Sequence, residues 1–279
     1  MSERHADLHI HTNFSDSTAS PQEVVAQAHA SGLCCISITD HDTVDGLPDA
    51  LAAADPLGLE VITGVELSSE YKGKDIHILG YCFDLKDSLL VRQLKVMQQA
   101  RIERMKKMLV RLNELGKGGI DLKDVAALTR SDSVGRLHLA KILLERGHVK
   151  SLDEAFMKYL GEGAAAYYPK FRQTPVEVIK LINDSGGVAV MAHPVLTQRD
   201  DLIPEFVQAG LGGLEVYYPN CMMAVVNSYL DMVKKYDLVA TGGSDAHGAS
   251  KTNTFVGKSH VPYHWVELLK ERAKKKHDL

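Results

Sequence analysis

Short apolar runs rich in β-branched residues recur along the chain, each closed by turn residues, and most alternate with segments of helical period. Seven of them read as strands: "DLHIHT", "CCISITD", "EVITGVEL", "DIHILGYCF", "VAVMAHP", "GLEVYYP" and "LVATGGSD". Between them lie amphipathic stretches such as "PQEVVAQAHAS", "TPVEVIKLINDSG" and "MAVVNSYLDMVKKYD". The first two carry Pro near the start and Gly just past the end, the usual punctuation of a helix. Alternation of this kind predicts a mainly parallel sheet. Seven strands are enough for a distorted β/α barrel of the TIM type, with an open sheet as the alternative.

One interval breaks the rhythm. From Lys86 to Thr174 there is helical pattern and no strand. Leu94, Met97, Ile102, Met105, Leu109, Leu112 and Leu115 mark one apolar face, and "VGRLHLAKILLERGHV" and "SLDEAFMKYLGEG" suggest two more helices. The expected organisation is therefore an α/β barrel built from residues 1–85 and 175–279, with residues 86–174 inserted as a helical cap. Charge divides along the same line. The insert holds 18 Lys+Arg against 10 Asp+Glu, net +8, which leaves 14 against 26, net −12, for the rest.

A length of 279 residues suits one β/α barrel, a class of about 250 residues. The overall net charge of −4 excludes a uniformly basic nucleic-acid coat, and double-stranded DNA is not an expected partner. The four cysteines form no C-x-x-C pair and read as buried thiols of a reducing compartment. "MSERHADLHIHT" lacks the apolar core of a signal peptide, and no stretch nears the roughly 18 apolar residues of a membrane span. The expected location is the cytoplasm.

Polar clusters fall where a greasy strand should end. In "ADLHIHTNFSDS" an extended chain would put Asp7, His9 and His11 on one face, with Asp16 close ahead. Asp40, His41 and Asp42 close "ITDHD", Glu66 sits in "TGVEL", His77 in "DIHILG", His193 in "MAHP", and Asp245 with His247 in "GGSDAH". Parallel barrels and sheets assemble their sites at the carboxyl ends of strands. A lone strand-end His is commonly structural, and "TDHD" alone is compatible with a capped turn. Six histidines and three carboxylates converging on one rim are not explained that way. The donor set of nitrogen and oxygen without thiolate suits Mn, Fe or Zn. Nine donors exceed what one tetrahedral ion can use, so two or three divalent metal ions are expected. His5, His29, His148, His260, His264 and His277 lie outside these positions and read as bystanders.

In this order, D-x-H-x-H-T-x-x-S-D, T-D-H-D, the isolated Glu, the His before Gly, A-H-P and S-D-A-H resemble the PHP superfamily, named for polymerase and histidinol phosphatase, over nearly the whole chain. The resemblance implies a distorted seven-stranded β/α barrel around a trinuclear metal centre. His9, His11, Glu66 and Asp245 would hold one metal, Glu66, His77 and His193 a second, and Asp16, His41 and His247 a third. The insert, with "GRLH", "EAFMKYLGEG" and "YYPKF", is similar to the subgroup of nucleoside 3′,5′-bisphosphate phosphatases and RNase AM-type 5′→3′ exoribonucleases. That likeness implies phosphate-binding roles for Arg136, His138 and Lys170. Ser17 and Leu137 stand where members commonly carry Gly and often Pro, and neither is a ligand position.

The expected activity is hydrolysis of a nucleotide phosphate ester by metal-hydroxide attack. The expected substrates are the 3′-phosphate of nucleoside 3′,5′-bisphosphates and, second, short 5′-phosphorylated RNA. Histidinol-phosphate phosphatase is the rival within the family, and the basic insert favours polyanions over it. An amidohydrolase and a non-catalytic metal-binding scaffold are the outside alternatives. Arg101, Arg104 and Arg111 form a stripe opposite the apolar face of their helix, and such faces are usually just solvated.

Overall fold

The computed structural model describes residues 4–169, 173–250 and 254–277, the last without its side chain. Nine strands occur among them: β1 (His5–Ile10), β2 (Cys35–Ile38), β3 (Glu60–Val61), β4 (Gly64–Tyr71), β5 (Lys74–Tyr81), β6 (Val188–Met191), β7 (Gly213–Tyr217), β8 (Val239–Gly242) and β9 (Val261–Pro262). The α-helices are α1 (Pro21–Ala30), α2 (Leu47–Ala54), α3 (Ser88–Glu114), α4 (Leu122–Ala126), α5 (Arg136–Glu145), α6 (Leu152–Ala155), α7 (Pro175–Asp184), α8 (Pro194–Thr197), α9 (Ile203–Gln208), α10 (Met223–Lys235) and α11 (His264–His277). The punctuation works as expected at α1 and α7. Ser20 and Thr174 each accept a hydrogen bond from the backbone of Glu23 and Glu177, and each glutamate reaches back to its cap.

The strands form two sheets, ordered β3-β2-β1-β9 and β4-β5-β6-β7-β8. This differs from one mainly parallel sheet. "EVITGVEL" divides into β3 and β4, which belong to different sheets, and β5 runs antiparallel to both β4 and β6. The reason is the two-residue link Lys72-Gly73, at φ 49° and 84°, which makes a tight hairpin where a parallel crossover would need a dozen residues. The two-residue β9 pairs antiparallel with β1 and was too short to show a pattern in the sequence.

Among the described residues no continuous ladder closes these sheets into a ring. They meet at two seams, both at the carboxyl ends of the strands. At one, His11 N–H donates to Ala246 O (3.0 Å) and Asp245 N–H to His9 O (2.8 Å). At the other, Asp42 N–H donates to Glu66 O (3.0 Å) and Glu66 N–H to Asp40 O (3.3 Å). Glycine permits both approaches. A Cβ on Gly243 would lie 2.3 Å from the His9 nitrogen, and one on Gly64 would lie 2.9 Å from the Ile38 carbonyl oxygen. The backbone is thus pinned at the residues that carry the polar clusters.

From Asp87 to Tyr168 the regular elements of the described chain are all helices, joined by loops. The 27-residue α3, about 40 Å long at 1.5 Å per residue, belongs to two cores. Leu90, Leu94 and Met97 join the main β/α core, while Met105, Met108 and Leu112 pack with Val125, Leu139, Leu143 and Leu160 in a separate helical one. Leu115 was expected on the apolar face but is exposed, since α3 ends at Glu114.

Candidate metal centre

β1 is buried on both faces, so its polar residues need partners. Asp7 points the same way as His9 but is used structurally: its carboxylate accepts from the backbone of Ser244 (2.8 Å) and Gly257 (2.9 Å). Burial pushes its carboxyl up to about 6, against the pull of those bonds. His9 Nε2 and His11 Nε2 converge at 3.2 Å. Glu66 Oε2 lies 3.3 and 3.2 Å from them, and Asp245 Oδ1 lies 3.7 and 3.3 Å away. The other Glu66 oxygen takes His77 Nδ1 at 2.8 Å and His193 Nε2 at 3.1 Å. His41 Nδ1 lies 3.2 Å from Glu66 Oε2, and Asp16 sits 3.2 Å from His247 and 3.9 Å from His41. All nine side chains expected at the rim therefore form one connected cluster, with Glu66 at its middle and Asp16 and His247 joined to it through His11 and His41.

Three groups have their donor atoms within 4.8 Å of one another: His11, Asp16, His41 and His247; His9, His11 and Glu66; and His41, Glu66 and His77. Among the described residues the buried Nδ1 atoms of His11, His41 and His193 find no hydrogen-bond partner in good geometry, although His41 Nδ1 lies within 3.2 Å of Glu66 Oε2. Two imidazole nitrogens aimed at one point beside two carboxylate oxygens suit a cation better than a proton, because a proton serves only one pair. Charge leads to the same view. Burial would raise Asp16 and Glu66, but the surrounding histidines outweigh it and hold both well below the carboxylate range. Against the effect of burial, Glu66 and its neighbouring carboxylates raise His9 and His193, and Asp245 and Glu66 raise His11 to about 9. Burial takes His41 the other way, down to about 3. The residues present fit bound divalent cations.

The backbone is strained at this rim. Asp42, His193 and Asp245 have φ of 53°, 29° and 49°, conformations that non-glycine residues adopt at a cost and that concentrate at functional sites. Supporting groups hold them. Asp40 accepts from Thr12 N–H (2.7 Å), Thr12 Oγ1 and Ser15 Oγ, which fixes the loop that carries Asp16. Glu215 was missed in the sequence. From β7 its Oε1 meets His9 Nδ1 at 2.8 Å and its Oε2 accepts from the backbone N–H of His193 at 2.6 Å, so it orients the His9 imidazole from behind and holds the main chain that carries His193. Its signal was a lone carboxylate inside the apolar "GLEVYY". Tyr218 was missed as well, and its hydroxyl donates to Asp245 (2.9 Å).

His41, His77 and Asp16 form one side of a cavity of about 200 Å³, with Arg101, Arg104, Arg136 and Phe156 from the helical segment on the other. The arginine stripe is not solvated. Arg101 reaches Asp42 (2.5 Å) and Ser68 Oγ (2.9 Å), so its donors are spent inside the protein. Arg104 donates from Nε to Tyr168 O (2.7 Å), and among the described residues no carboxylate pairs with it. Burial and the charge of Arg136 lower its guanidinium to about 10. Arg111 bonds Tyr167 O. Arg136 lies 3.5 Å from the half-exposed Asp75. His138 is buried, and its Nδ1 accepts from Gly135 N–H (3.1 Å) at the start of α5. Burial pushes it down to about 4, so it is neutral. Lys170 lies outside the described residues. His5 and His260 pack ring against tilted ring at 5.1 Å, and His264 against Trp265 at 4.7 Å, apart from the cluster.

Comparison with known proteins defines the class. The PHP domain model matches residues 7–165, and the chain belongs to the PHP family. It is 32% identical over 271 residues to a 5′-3′ exoribonuclease of Haemophilus influenzae, covering 94% of this chain and 92% of that protein. It is 31% identical over 258 residues to a 3′,5′-nucleoside bisphosphate phosphatase of Chromobacterium violaceum, covering 90% of each. A solved structure from Bifidobacterium adolescentis, described as a metal-dependent phosphoesterase, superposes with a TM-score of 0.87 at 29% identity, over 98% of this chain and 97% of that one. Among the described residues no helix is long and apolar enough to cross a membrane.

Proposed function

We propose that this metal-dependent phosphoesterase hydrolyses the phosphate ester at the 3′-oxygen of a nucleotide that carries a second phosphate. The observation that carries the reading is the half-buried Arg104, which among the described residues forms no salt bridge with a carboxylate, beside Arg136 and lining one cavity with His41, His77 and Asp16. Two guanidiniums without a full complement of counter-charge call for an anion, and phosphate takes arginine bidentately. The apolar wall of Met97, Met105 and Phe156 in the same cavity suits a base. Substrates of the Haemophilus and Chromobacterium relatives, RNA and nucleoside bisphosphate, agree with that chemistry.

In this reading His9, His11, Asp16, His41, Glu66, His77, His193, Asp245 and His247 hold two or three cations, Mn, Fe or Zn, with Glu66 shared. When bound, these would polarise the phosphoryl oxygens and make water a nucleophile near neutral pH. The chain's own residues do the rest. Glu215 and Tyr218 fix His9, His193 and Asp245; Arg104 and Arg136 orient the substrate through its second phosphate; Phe156 and the helical segment keep water from the reacting group. His138 acts by capping α5 and so positioning Arg136. Residues 86–174 serve as the cap, and the two sheets with their pinned seams form the distorted barrel beneath it. The four free cysteines support a reducing, cytoplasmic setting.

The test is purified protein with Mn²⁺, and again with chelator, on adenosine 3′,5′-bisphosphate, a 5′-phosphorylated short RNA and histidinol phosphate. Metal-dependent phosphate release from the bisphosphate above that from histidinol phosphate is expected. Preference for histidinol phosphate would replace this reading with its rival, and release from none of them would leave a metal-binding scaffold.

A further inference from the structure

On the other side of the His41 loop from the cavity at the cluster lies a second one, of about 640 Å³. The two share no residue, yet the same three segments wall both. The loop after β2 gives His41 and Asp42 to the first and Val44 and Asp45 to the second. Helix α3 gives Met97, Arg101 and Arg104 to the first. Its Val91, Lys95, Gln98 and Ile102, spaced i, i+4, i+7 and i+11 along one helical face, line the second. Ahead of α5, Ser133 borders the first and Asp132 the second. The partition between the cavities is therefore the loop that carries a histidine of the cluster. Two hydrogen bonds tie that loop to the helical segment, Gln98 Nε2 to Asp42 O (3.1 Å) and Ser133 Oγ to His41 O, and the first comes from a residue of the second cavity.

The second cavity has the size of a small-molecule site, a class of about 300–1,000 Å³. Its floor is apolar: Leu94 is buried, and Val44, Leu85, Val91 and Ile102 are half-buried around it. Its rim carries charge of both signs. Asp45 and Asp132 come from the two loops and Lys95 from α3; all three are exposed, and among the described residues none is in a salt bridge. A ligand complementary to this wall has an apolar body, an ammonium for the carboxylates and a carboxylate for the lysine. We infer that the cavity is a regulatory site for a free α-amino acid with a large apolar side chain. The side chain packs on Leu94, the ammonium meets Asp45 and Asp132, and the carboxylate meets Lys95. So placed, the ligand backs Val44 and Gln98 and holds the partition in the conformation seen here, in which Asp42 sits at φ 53° and His41 reaches the cluster. Occupancy of the rear cavity therefore tightens the binding of divalent metal. Linkage requires the converse: metal raises the affinity for the amino acid by the same factor. The inference goes beyond the proposed reaction and uses only the metal centre from it.

The experiment is calorimetric titration with L-phenylalanine, phenethylamine and 3-phenylpropionate, on protein loaded with Mn²⁺ and on protein stripped by chelator. Phenylalanine should bind saturably at millimolar concentration or below, and the amine and the acid, each lacking one charge, more weakly by about 10-fold. Lys95→Met and Asp132→Asn, both at the exposed rim and outside the cluster, should each weaken phenylalanine by a similar factor. Mn²⁺ should raise the affinity of wild type for phenylalanine by at least about 5-fold, and phenylalanine should lower the Kd for Mn²⁺ equally. Asp132→Asn is the control for Mn²⁺ held by the amino acid itself, which is the same in both proteins. Gln98→Met should still bind phenylalanine and should lose most of the coupling. The inference is overturned by absence of saturable binding, by equal affinity for phenylalanine and phenethylamine, by rim variants that bind like wild type, or by an affinity that Mn²⁺ leaves unchanged. Full coupling in Gln98→Met overturns the route through the loop. Phosphate release from adenosine 3′,5′-bisphosphate is measured apart from all of these, so the proposed reaction stands or falls separately.

Discussion

Replacing Arg101 by Met should free the loop that carries His41. Arg101 comes from α3, yet its guanidinium sits 2.5 Å from Asp42, a carboxylate 1% exposed whose backbone is held at φ 53°. The same loop is tied to the helical segment twice more, by Gln98 Nε2 to Asp42 O (3.1 Å) and by Ser133 Oγ to His41 O. In the variant the Asp42 carboxylate would keep only the Ser68 N–H, at 2.8 Å. Removing one partner of a buried ion pair costs about 3–5 kcal/mol, and the 22% exposure of Arg101 places this case near the lower end. With a urea m-value of about 3 kcal/mol/M for a chain this long, the unfolding midpoint should fall by about 1 M. Acid gives a second reading. Burial raises the Asp42 carboxyl, but the charge of Arg101 and the Ser68 bond overcome it and the folded value is lowered. A group lowered on folding stabilises fully above its unfolded value, about 3.9, and that stability is lost as pH falls through the folded value. The difference between wild type and Arg101→Met should thus be flat from about pH 5 to 8 and shrink below about pH 4. A midpoint that moves by less than about 0.2 M, or a difference undiminished in acid, would refute the assignment of Arg101 as the tie.

Glu66→Ala should remove more than one metal equivalent by elemental analysis, because both its oxygens face imidazoles; full metal content would sink the shared-ligand reading. Arg136→Ala should weaken a 3′,5′-bisphosphate roughly 10- to 150-fold more than phenyl phosphate, the range of about 1.5–3 kcal/mol for a charge-assisted bond, with metal content unchanged. Equal losses on the two substrates would move Arg136 to the reacting phosphate. Gly243→Ala forces a Cβ to 2.3 Å from backbone, so thermal unfolding should show about 1–3 kcal/mol of destabilisation; a neutral variant would mean that the β1–β8 seam yields. Asn in place of His29, His148 or His264 should leave metal content and turnover intact, and metal loss at any of them would redraw the centre.

The parts of the fold governed by local rules were legible. Pro near the start and Gly just past the end placed α1 and α7, and the 3.6 period placed α3 almost to its last turn. Strand direction was harder, because an apolar run is the same forwards and backwards. The information for β4 and β5 lay in Lys72-Gly73, a turn signal that the expectation of β/α alternation overrode. The closure of the two sheets was not legible, since it depends on backbone approach at Gly64 and Gly243, where what matters is a side chain that is missing.

The site divides in the same way. Its expected ligands stood out because His, Asp and Glu at the ends of apolar strands have no structural reason to gather there, and the structure brings all nine together. Glu215 escaped because it lies inside its strand, where a single carboxylate is easily taken for a surface residue, and its role as the partner of His9 depends on a strand 206 residues away in sequence. The arginines make the limit plainest. Arg101 and Arg104 are three residues apart on one helix face and look interchangeable as letters. One is neutralised by Asp42, while the other forms no salt bridge with a carboxylate among the described residues and lines the cavity beside the cluster. Helical periodicity can say that two charges share a face; whether a charge is consumed in holding the fold or left for a substrate depends on what the opposite wall supplies, and that wall comes from β4 and from the loop after β2.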